Sequence, residues 1–477
     1  MQPLLNSELF SGYPFYGQKP TLHFVGIGGS GMSCLAEVFL RLGVRVQGSD
    51  IQLSQRTADL QSQGAHIKQG HHADNIEGAT AVVVSAAVPA NNPEVQAAAA
   101  HHLPVVSRGS LLAQLMRFQH GIAVAGTHGK STTTGLVGSV LQHTGLDPSV
   151  LVGGRVNHLG SHARVGKGTF LVAEADESDG SFLQLRPSIA VLTNIDHEHL
   201  ERWQADVCRL QDACVQFADT LPFYGTLVAC WDCRLVRGVL RRTKSRWLSY
   251  GLDTQAHYFA TQIEQQGLHT FFTVCKGQQT LGRVHVRLAG EHNVRNALAA
   301  IVVGDLLQIP FERVCQALTE FVGIARRFSV VGQAAGVTVV DDYGHHPTAI
   351  RAVLQTAARV FEGKRLVVLF QPHRYSRTQA LMQEFAACLQ QADVLLLTDI
   401  YAASESNSVV HARDLLHAVQ EQGHSQASYV GDVASAIAHL LPILQPGDVL
   451  LTLGAGSIAS CAEQVLQQLQ ARRAEGV

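Results

Sequence analysis

The residues best suited to chemistry are Gly126-Thr127-His128-Gly129-Lys130-Ser131. They follow a short apolar run, Ile122 to Ala125, that reads as a buried strand, and from Thr132 the chain reads as a helix. A strand, a glycine-bounded turn and a helix start together make a phosphate cradle: backbone N–H groups and the positive end of the helix converge on an anion. Lys130 is placed to reach the terminal phosphates of a nucleotide, and the Ser131 hydroxyl to hold magnesium. The usual pattern has four residues between Gly and Gly-Lys; here Thr127 and His128 are the two. The competing reading, an ordinary turn with an exposed lysine, leaves the flanking strand and helix unexplained. An ATP or GTP site is expected.

A second glycine motif, Gly26-Ile27-Gly28-Gly29-Ser30-Gly31, lies between an apolar strand (Leu22 to Val25) and a helical run (Met32 to Leu42). A further strand, Val44 to Val46, leads to Asp50 and completes a dinucleotide fingerprint. Alone it suggests NAD, but the physics requires only a diphosphate at a helix N-terminus, and a UDP-sugar satisfies that. Glu174-Ala175-Asp176-Glu177-Ser178-Asp179 and Thr193-Asn194-Ile195-Asp196-His197-Glu198-His199 each follow an expected strand. Each by itself could be a polar surface turn. Taken with the phosphate loop, Ser131, Glu174 and His199 could supply hydroxyl, carboxylate and imidazole to magnesium. Asn293 and Asn296 share a helix face, which in isolation reads more readily as capping than as chemistry. Three later loops also follow strands: Asp341-Asp342-Tyr343-Gly344-His345-His346-Pro347, Gln371-Pro372-His373-Arg374 with Arg377, and Gly454-Ala455-Gly456-Ser457. Arg and His gathered at strand ends suit a carboxylate or phosphate; the bland alternative is a solvated loop face.

These groups need elements to hold them. At 477 residues three domains are expected, and a hydrophobic content of 46% lets each bury a core. The 36 basic and 38 acidic side chains give a net charge of −2, which offers nothing to attract nucleic acid or an anionic membrane. The first twenty residues have neither a basic start nor a long apolar run, so no signal peptide is expected, and no stretch is apolar enough to span a bilayer. The nine cysteines are scattered; Cys230 and Cys233 form a C-x-x-C with no second pair for zinc, and are read as structural. A cytoplasmic location is expected. Ala81 to Ser85, Pro104 to Arg108, Ser149 to Val152, Thr169 to Ala173 and Ile189 to Thr193 read as strands, and Gln52 to Gly64 and Pro93 to His102 as helical. Tyr258 to Leu288 alternates in the manner of antiparallel hairpins. Val337 to Val340, Arg365 to Phe370, Val394 to Leu397 and Val449 to Leu453 are strands of a third unit. The fold class is α/β, with parallel sheets.

In their order, HFVGIGGSGM, VVVSAAV, AGTHGKSTTT, AEADESD, the TNI segment with His199, GEHNVRNALAA, ARRF, DDYGHHPT and FQPHR make the chain similar to the Mur ligase family over nearly its whole length. The resemblance implies three domains: a Rossmann-like UDP-sugar domain (1–117), a central P-loop ATPase-like domain with added antiparallel strands (118–324), and a C-terminal Rossmann-like α/β domain for the amino acid (325–477). It implies ATP-dependent joining of L-alanine to the lactyl carboxylate of UDP-N-acetylmuramate in peptidoglycan synthesis, with Mg2+ as a cofactor, in a monomer or homodimer. Gly28, Gly29, Ser30, Gly31, Ser49, Asp50, His71, Ser85 and Arg108 are implied to bind the UDP-sugar. Gly126, Thr127, His128, Gly129, Lys130, Ser131, Thr132, His292, Asn293, Asn296 and Arg327 are implied for ATP, and Tyr343, His345, His373, Arg374 and Arg377 for L-alanine. Lys130, Glu174, His199, Arg327 and His345 are the implied catalytic residues, and Ser131, Glu174 and His199 the magnesium ligands. Three positions depart from the family pattern: Ser131 for Thr, Glu198 for Asp, and Ala349 for Glu.

The chemistry implied is attack of the carboxylate on the γ-phosphate, then displacement of phosphate from the acyl phosphate by the neutral amine. His345, His346 and His199 are alternative bases for that amine, and closure of the domains over the intermediate is expected. Three rivals exist. A recycling ligase of the same family would add a tripeptide, but GIGGSGM favours the alanine-adding type. An NAD-dependent oxidoreductase leaves Lys130, Glu174 and His199 without a role, and a non-catalytic nucleotide switch needs no second diphosphate site.

Overall fold

The computed structural model describes residues 20–85, 87–116, 119–156, 161–197, 202–204, 206–403, 405–406 and 409–475. His199 and Glu198, and the expected 117/118 domain boundary, lie outside the described residues, as do the side chain of Ser30 and the first 19 residues.

Among the described residues the strands form three sheets. The first contains β1 (Thr21–Val25), β2 (Arg45–Asp50), β3 (His66–Gln69), β4 (Ala81–Val84) and β5 (Val105–Ser107), in the order β3-β2-β1-β4-β5 and parallel throughout. β1 sits centrally, with Phe24 and Val25 fully buried, which is why it reads as a continuous apolar run. The exposed edge strand β3, His-Ile-Lys-Gln, carries too little apolar pattern to be legible in sequence. Val25 pairs with Ser49, so the two chain ends leave the sheet level with one another.

The second sheet contains β6 (His120–Ala125), β7 (Ser149–Val156), β8 (Ser161–Arg164), β9 (Phe170–Glu174), β10 (Ile189–Leu192), β11 (Thr226–Cys230), β12 (Trp247–Gly251), β13 (Tyr258–Gln266), β14 (His269–Lys276) and β15 (Gln279–Val286). Its order is β15-β14-β13-β12-β11-β10-β6-β9-β7-β8. β6 lies between β10 and β9; Val124 pairs with Glu174 and Ala125 with Leu192. That register brings the phosphate loop, the acidic loop and the Thr193 segment to one edge. The expected hairpins are β13 to β15, joined by two-residue turns that only antiparallel neighbours allow.

The third sheet contains β16 (Ser329–Ala334), β17 (Val337–Asp342), β18 (Leu366–Phe370), β19 (Val394–Leu397), β20 (Ala427–Tyr429) and β21 (Val449–Leu453), ordered β16-β17-β21-β18-β19-β20. Only β16 runs antiparallel to its neighbour. Asp342 and Phe370 both pair with Leu453, and Phe370 pairs with Leu397, so these strand ends are level too.

The chain forms two compact units. One carries the first two sheets, in residues up to Ile263 with Phe271–Arg287 and Asn293–Val322. Its largest core runs without interruption from Phe24 and Leu35 to Leu171 and Phe217. The other comprises Glu264–Thr270, Leu288–His292 and the chain from Gly323 onward, with apolar layers on both faces of the third sheet. Among the described residues no helix is long and apolar enough to cross a membrane.

Candidate active site

In the first unit, Gly126 follows β6 at φ +122°, and a side chain there would press on the Asn194 backbone at 2.7 Å. Gly129, at φ +81°, caps the Lys130–His143 helix, and a Cβ on it would lie 2.6 Å from Asn296 Oδ1. Glycine is needed at both for conformation and for room. The segment after β10 grips the loop. Asn194 O accepts from Thr127 N (3.1 Å), Asn194 Oδ1 from His128 N (2.8 Å), and His128 O from Thr193 Oγ1 (2.7 Å). Asp196 N donates to Thr127 Oγ1 at 3.0 Å, and Asp196 Oδ2 meets His128 Nε2 at 2.9 Å. Cys233 Sγ accepts from Ile195 N at 3.5 Å, so half of the C-x-x-C anchors this segment, and all nine cysteines are free thiols.

Lys130 Nζ donates to Gly126 O (2.7 Å) and to both oxygens of Glu177 (3.0 and 2.8 Å). Glu177 lies in the acidic segment, but sequence reasoning assigned it no part. Its spacing to Glu174 carries no signal, because the loop after β9 turns it inward. Burial pushes the Glu177 carboxyl up to about 7, against the pull of Lys130. Burial opposes the Lys130 charge too, yet Glu177, Asp176 and Glu174 hold its ammonium above the ordinary range. Glu174 ends β9, where Oε1 accepts from Gly153 N at 2.7 Å. Ser131 and Thr132 are buried in the first turn of the helix. Asn296 Oδ1 accepts from Thr133 Oγ1 (3.2 Å), and Asn296 Nδ2 donates to Asn293 Oδ1 (3.1 Å). Tertiary packing thus brings both asparagines to the phosphate loop. Capping alone does not account for them.

In the same unit the loop after β1 turns through Gly26 (φ +74°), whose N–H donates to Ser49 O at 2.8 Å. Asp50 Oδ2 accepts from Gly28 N at 2.8 Å, and a Cβ on Gly28 would meet that oxygen at 2.8 Å. Gly29 caps the Ser30–Arg41 helix. A Cβ on Gly31 would lie 2.7 Å from Arg108 Nη1, and Arg108 donates to Asp179 (3.1 Å) and Asp176 (3.3 Å). One guanidinium therefore joins the first glycine loop to the acidic loop after β9. Ser85 follows β4 on the same side of the sheet. Ser49 Oγ faces His71 Nδ1 at 2.9 Å and donates to the fully buried Glu94 at 2.5 Å. Glu94, absent from the sequence reading because it looks like an ordinary helix residue, also accepts from Asn75 Nδ2 (2.5 Å) and faces His23 Nε2 (3.3 Å). Burial works to raise its pKa, but His23, Ser49 and Asn75 hold the carboxyl down at about 2.

The second unit gathers its polar strand-end residues. Arg326 and Arg327 lie over the Tyr343 ring at 5.2 and 5.0 Å. Tyr343 meets His345 edge-on (5.2 Å), His345 meets His373 (5.6 Å), and His373 stacks on Tyr401 (5.5 Å). Tyr401 went unread in the sequence, where it falls in an unpatterned stretch after β19. Arg377 is buried, with Nη1 3.3 Å from His373 Nδ1, and Arg374 takes φ +70°, its N–H donating to Tyr401 O at 2.8 Å. His345 Nδ1 lies 2.9 Å from Tyr343 O. A carbonyl only accepts, so Nδ1 carries the hydrogen and Nε2 is the basic nitrogen of the neutral ring. Asp342 accepts from Phe328 N (2.7 Å) and Gly344 N (2.6 Å); burial pushes its carboxyl up to about 6, with Arg327 opposing. His292 belongs to this unit, beside Gly290.

Three family models match in succession: the Mur ligase family catalytic domain over residues 21–120, the Mur ligase middle domain over 124–304, and the Mur ligase glutamate ligase domain over 326–456. A UDP-N-acetylmuramate–L-alanine ligase of Geobacter sulfurreducens is 47% identical over 459 residues, covering 96% of this chain and 99% of that protein. The crystal structure of a UDP-N-acetylmuramate–alanine ligase from Thermotoga maritima superposes with a TM-score of 0.84 at 30% identity, over 95% of this chain and 99% of that one. A murein peptide ligase from Psychrobacter arcticus, 24% identical, shares the fold with a TM-score of 0.71 over 94% and 99% of the two chains.

Proposed function

The chain belongs to the Mur ligase family, and from that premise we propose that it joins L-alanine to the lactyl carboxylate of UDP-N-acetylmuramate at the expense of ATP. The observation that carries the reading is two separate glycine cradles in one unit, with Gly28 and Gly31 in the first and Gly126 and Gly129 in the second leaving no room for a side chain, and with Arg108 tying the first to the acidic loop whose Glu177 holds Lys130 of the second. An oxidoreductase needs one cradle, and a nucleotide switch needs no second. We assign the functional domains to residues 1–117, 118–324 and 325–477, and the working compartment to the cytoplasm.

A carboxylate acylates poorly, so the reaction must first install a leaving group. A carboxylate oxygen bonds to the γ-phosphorus as the bond to the β–γ bridging oxygen breaks, yielding an acyl phosphate and ADP. Lys130 and the first-turn amides of the Lys130–His143 helix face the charge that grows on the phosphates, while the Thr127 and His128 amides are held by Asn194, in a site where buried donors act strongly. The donor types fit magnesium as well: the buried Ser131 hydroxyl and the Glu174 carboxylate would hold it, with His199, which lies outside the described residues, as the third ligand the family resemblance implies. When bound, that ion neutralises phosphate charge. Asn293 and Asn296 brace the loop for the nucleotide. The amine of L-alanine then attacks the acyl carbon and phosphate leaves. His345, with its hydrogen fixed on Nδ1, takes the amine proton at Nε2, while Arg374, Arg377 and His373 suit the alanine carboxylate.

Placing a heavy-oxygen label in the substrate carboxylate tests this reading. One labelled oxygen is expected in inorganic phosphate, with ADP as coproduct. Label in AMP would mean an acyl adenylate, and unlabelled phosphate would uncouple hydrolysis from ligation. Running L-alanine against other amino acids and the tripeptide tests the acceptor.

A further inference from the structure

Glu94 lies at the centre of a closed set of hydrogen bonds behind the first glycine loop. Its Oε1 accepts from Asn75 Nδ2 (2.5 Å) and from His72 N (3.4 Å). Its Oε2 accepts from Ser49 Oγ (2.5 Å) and lies 3.3 Å from both His23 Nε2 and His71 Nδ1. An ionised carboxylate only accepts, so every one of these neighbours must donate. Ser49 has one hydrogen and spends it on Glu94; toward His71 Nδ1, 2.9 Å away, it can offer only a lone pair. The His71 ring nitrogen facing both oxygens therefore carries the hydrogen. In the neutral imidazole the opposite nitrogen, Nε2, is then left as an acceptor. Among the described residues Nε2 has no partner and it is not sealed from solvent, while the side chain as a whole is 16% exposed. Ser49 is the second-last residue of β2 and His71 lies just beyond the end of β3, on the side where Asp50 holds the glycine loop.

We propose that Glu94, acting through Ser49, is a positioning residue that fixes His71 as a hydrogen-bond acceptor and so selects a nucleobase presenting an N–H donor. Uracil offers such a donor at N3; cytosine has a lone pair there. Ribose hydroxyls can donate or accept and would need no fixed tautomer. This selection rests on the reading of the first sheet as the UDP-sugar site.

Two measurements test it. Long-range nitrogen–proton NMR of His71, assigned by its loss in H71N, is expected to show the hydrogen on Nδ1 in the unmutated protein; a hydrogen on Nε2 overturns the proposal. Calorimetric titration with UDP and with CDP is expected to show UDP preferred by about tenfold or more, the scale set by leaving a buried polar group unpaired. In E94Q the amide can donate as well as accept, so the preference is expected to shrink toward unity while ATP affinity is retained. S49A, a smaller change, should shrink it partway. UDP preference unchanged in E94Q and S49A overturns the relay while leaving the UDP-sugar site standing. Failure of the unmutated protein to bind UDP overturns the site and the relay together.

Discussion

Lys130 Nζ lies 2.8 Å from Glu177 Oε2, with Glu177 itself only 2% exposed. The pair holds the lysine at the mouth of the phosphate loop, where Gly126 O fixes it from the other side. Truncating Lys130 to Ala removes a contact made most strongly as charge develops, so turnover should fall roughly a hundredfold or more. UDP-sugar affinity, measured by calorimetry, should hardly change. E177Q should also slow turnover, by a smaller factor, because the lysine loses its anchor while keeping its charge.

Gly28 has space for a hydrogen and nothing more: its Cβ would lie 2.8 Å from Asp50 Oδ2 and 3.2 Å from Thr57 Cγ2. G28V should therefore weaken UDP-N-acetylmuramate binding by at least about tenfold, since backbone approach to the diphosphate is blocked. ATP binding, measured separately, should remain near that of the unmutated protein.

Glu174 is aimed by Gly153 N–H, 2.7 Å from Oε1. E174A should raise the magnesium concentration needed for half-maximal activity by roughly tenfold, because a carboxylate leaves a partial shell. An unchanged magnesium titration would return Glu174 to a purely structural role.

Arg377 is buried at the base of the His373–Tyr401 stack. R377K keeps the charge but loses the planar fork, and should raise KM for L-alanine by about tenfold with a smaller effect on kcat. Steady-state kinetics over an alanine series reads both constants.

Two buried carboxylates should leave opposite marks on stability against pH. Glu94 is held at about 2, below its ordinary 4.5, so its contribution is whole above about 4.5 and is lost as pH falls toward 2. Asp342 is raised from 3.8 to about 6, so the folded state keeps its proton longer than the unfolded chain does, and stability declines as pH rises through that interval. Each amounts to about 3 kcal/mol over its window. Denaturant titrations at several pH values should show the acid-side loss flattened in E94Q and the decline between about 4 and 6 flattened in D342N.

The chemistry of this protein was legible in its sequence wherever function demands a local pattern. A cradle for phosphate must be strand, glycine and helix in immediate succession, so Gly126 to Ser131 and Gly26 to Gly31 could be read without a fold. Buried parallel strands such as β6, β9 and β18 announce themselves as apolar runs, whereas the exposed β3 and the three-residue β20 do not. Tertiary structure alone decided which distant groups meet. The level ends of β6, β9 and β10 set Lys130 on Glu177 and Asn194 on the phosphate loop, because register is a property of paired strands and not of either one. Asn296 reaches Gly129 across 167 positions, and Arg108 reaches Asp179 across 71, through packing that no local spacing encodes. Glu94 shows the limit most clearly: in sequence it is one acidic residue after a proline, and only burial among His23, Ser49, His71 and Asn75 makes it a carboxylate that every neighbour must serve as donor.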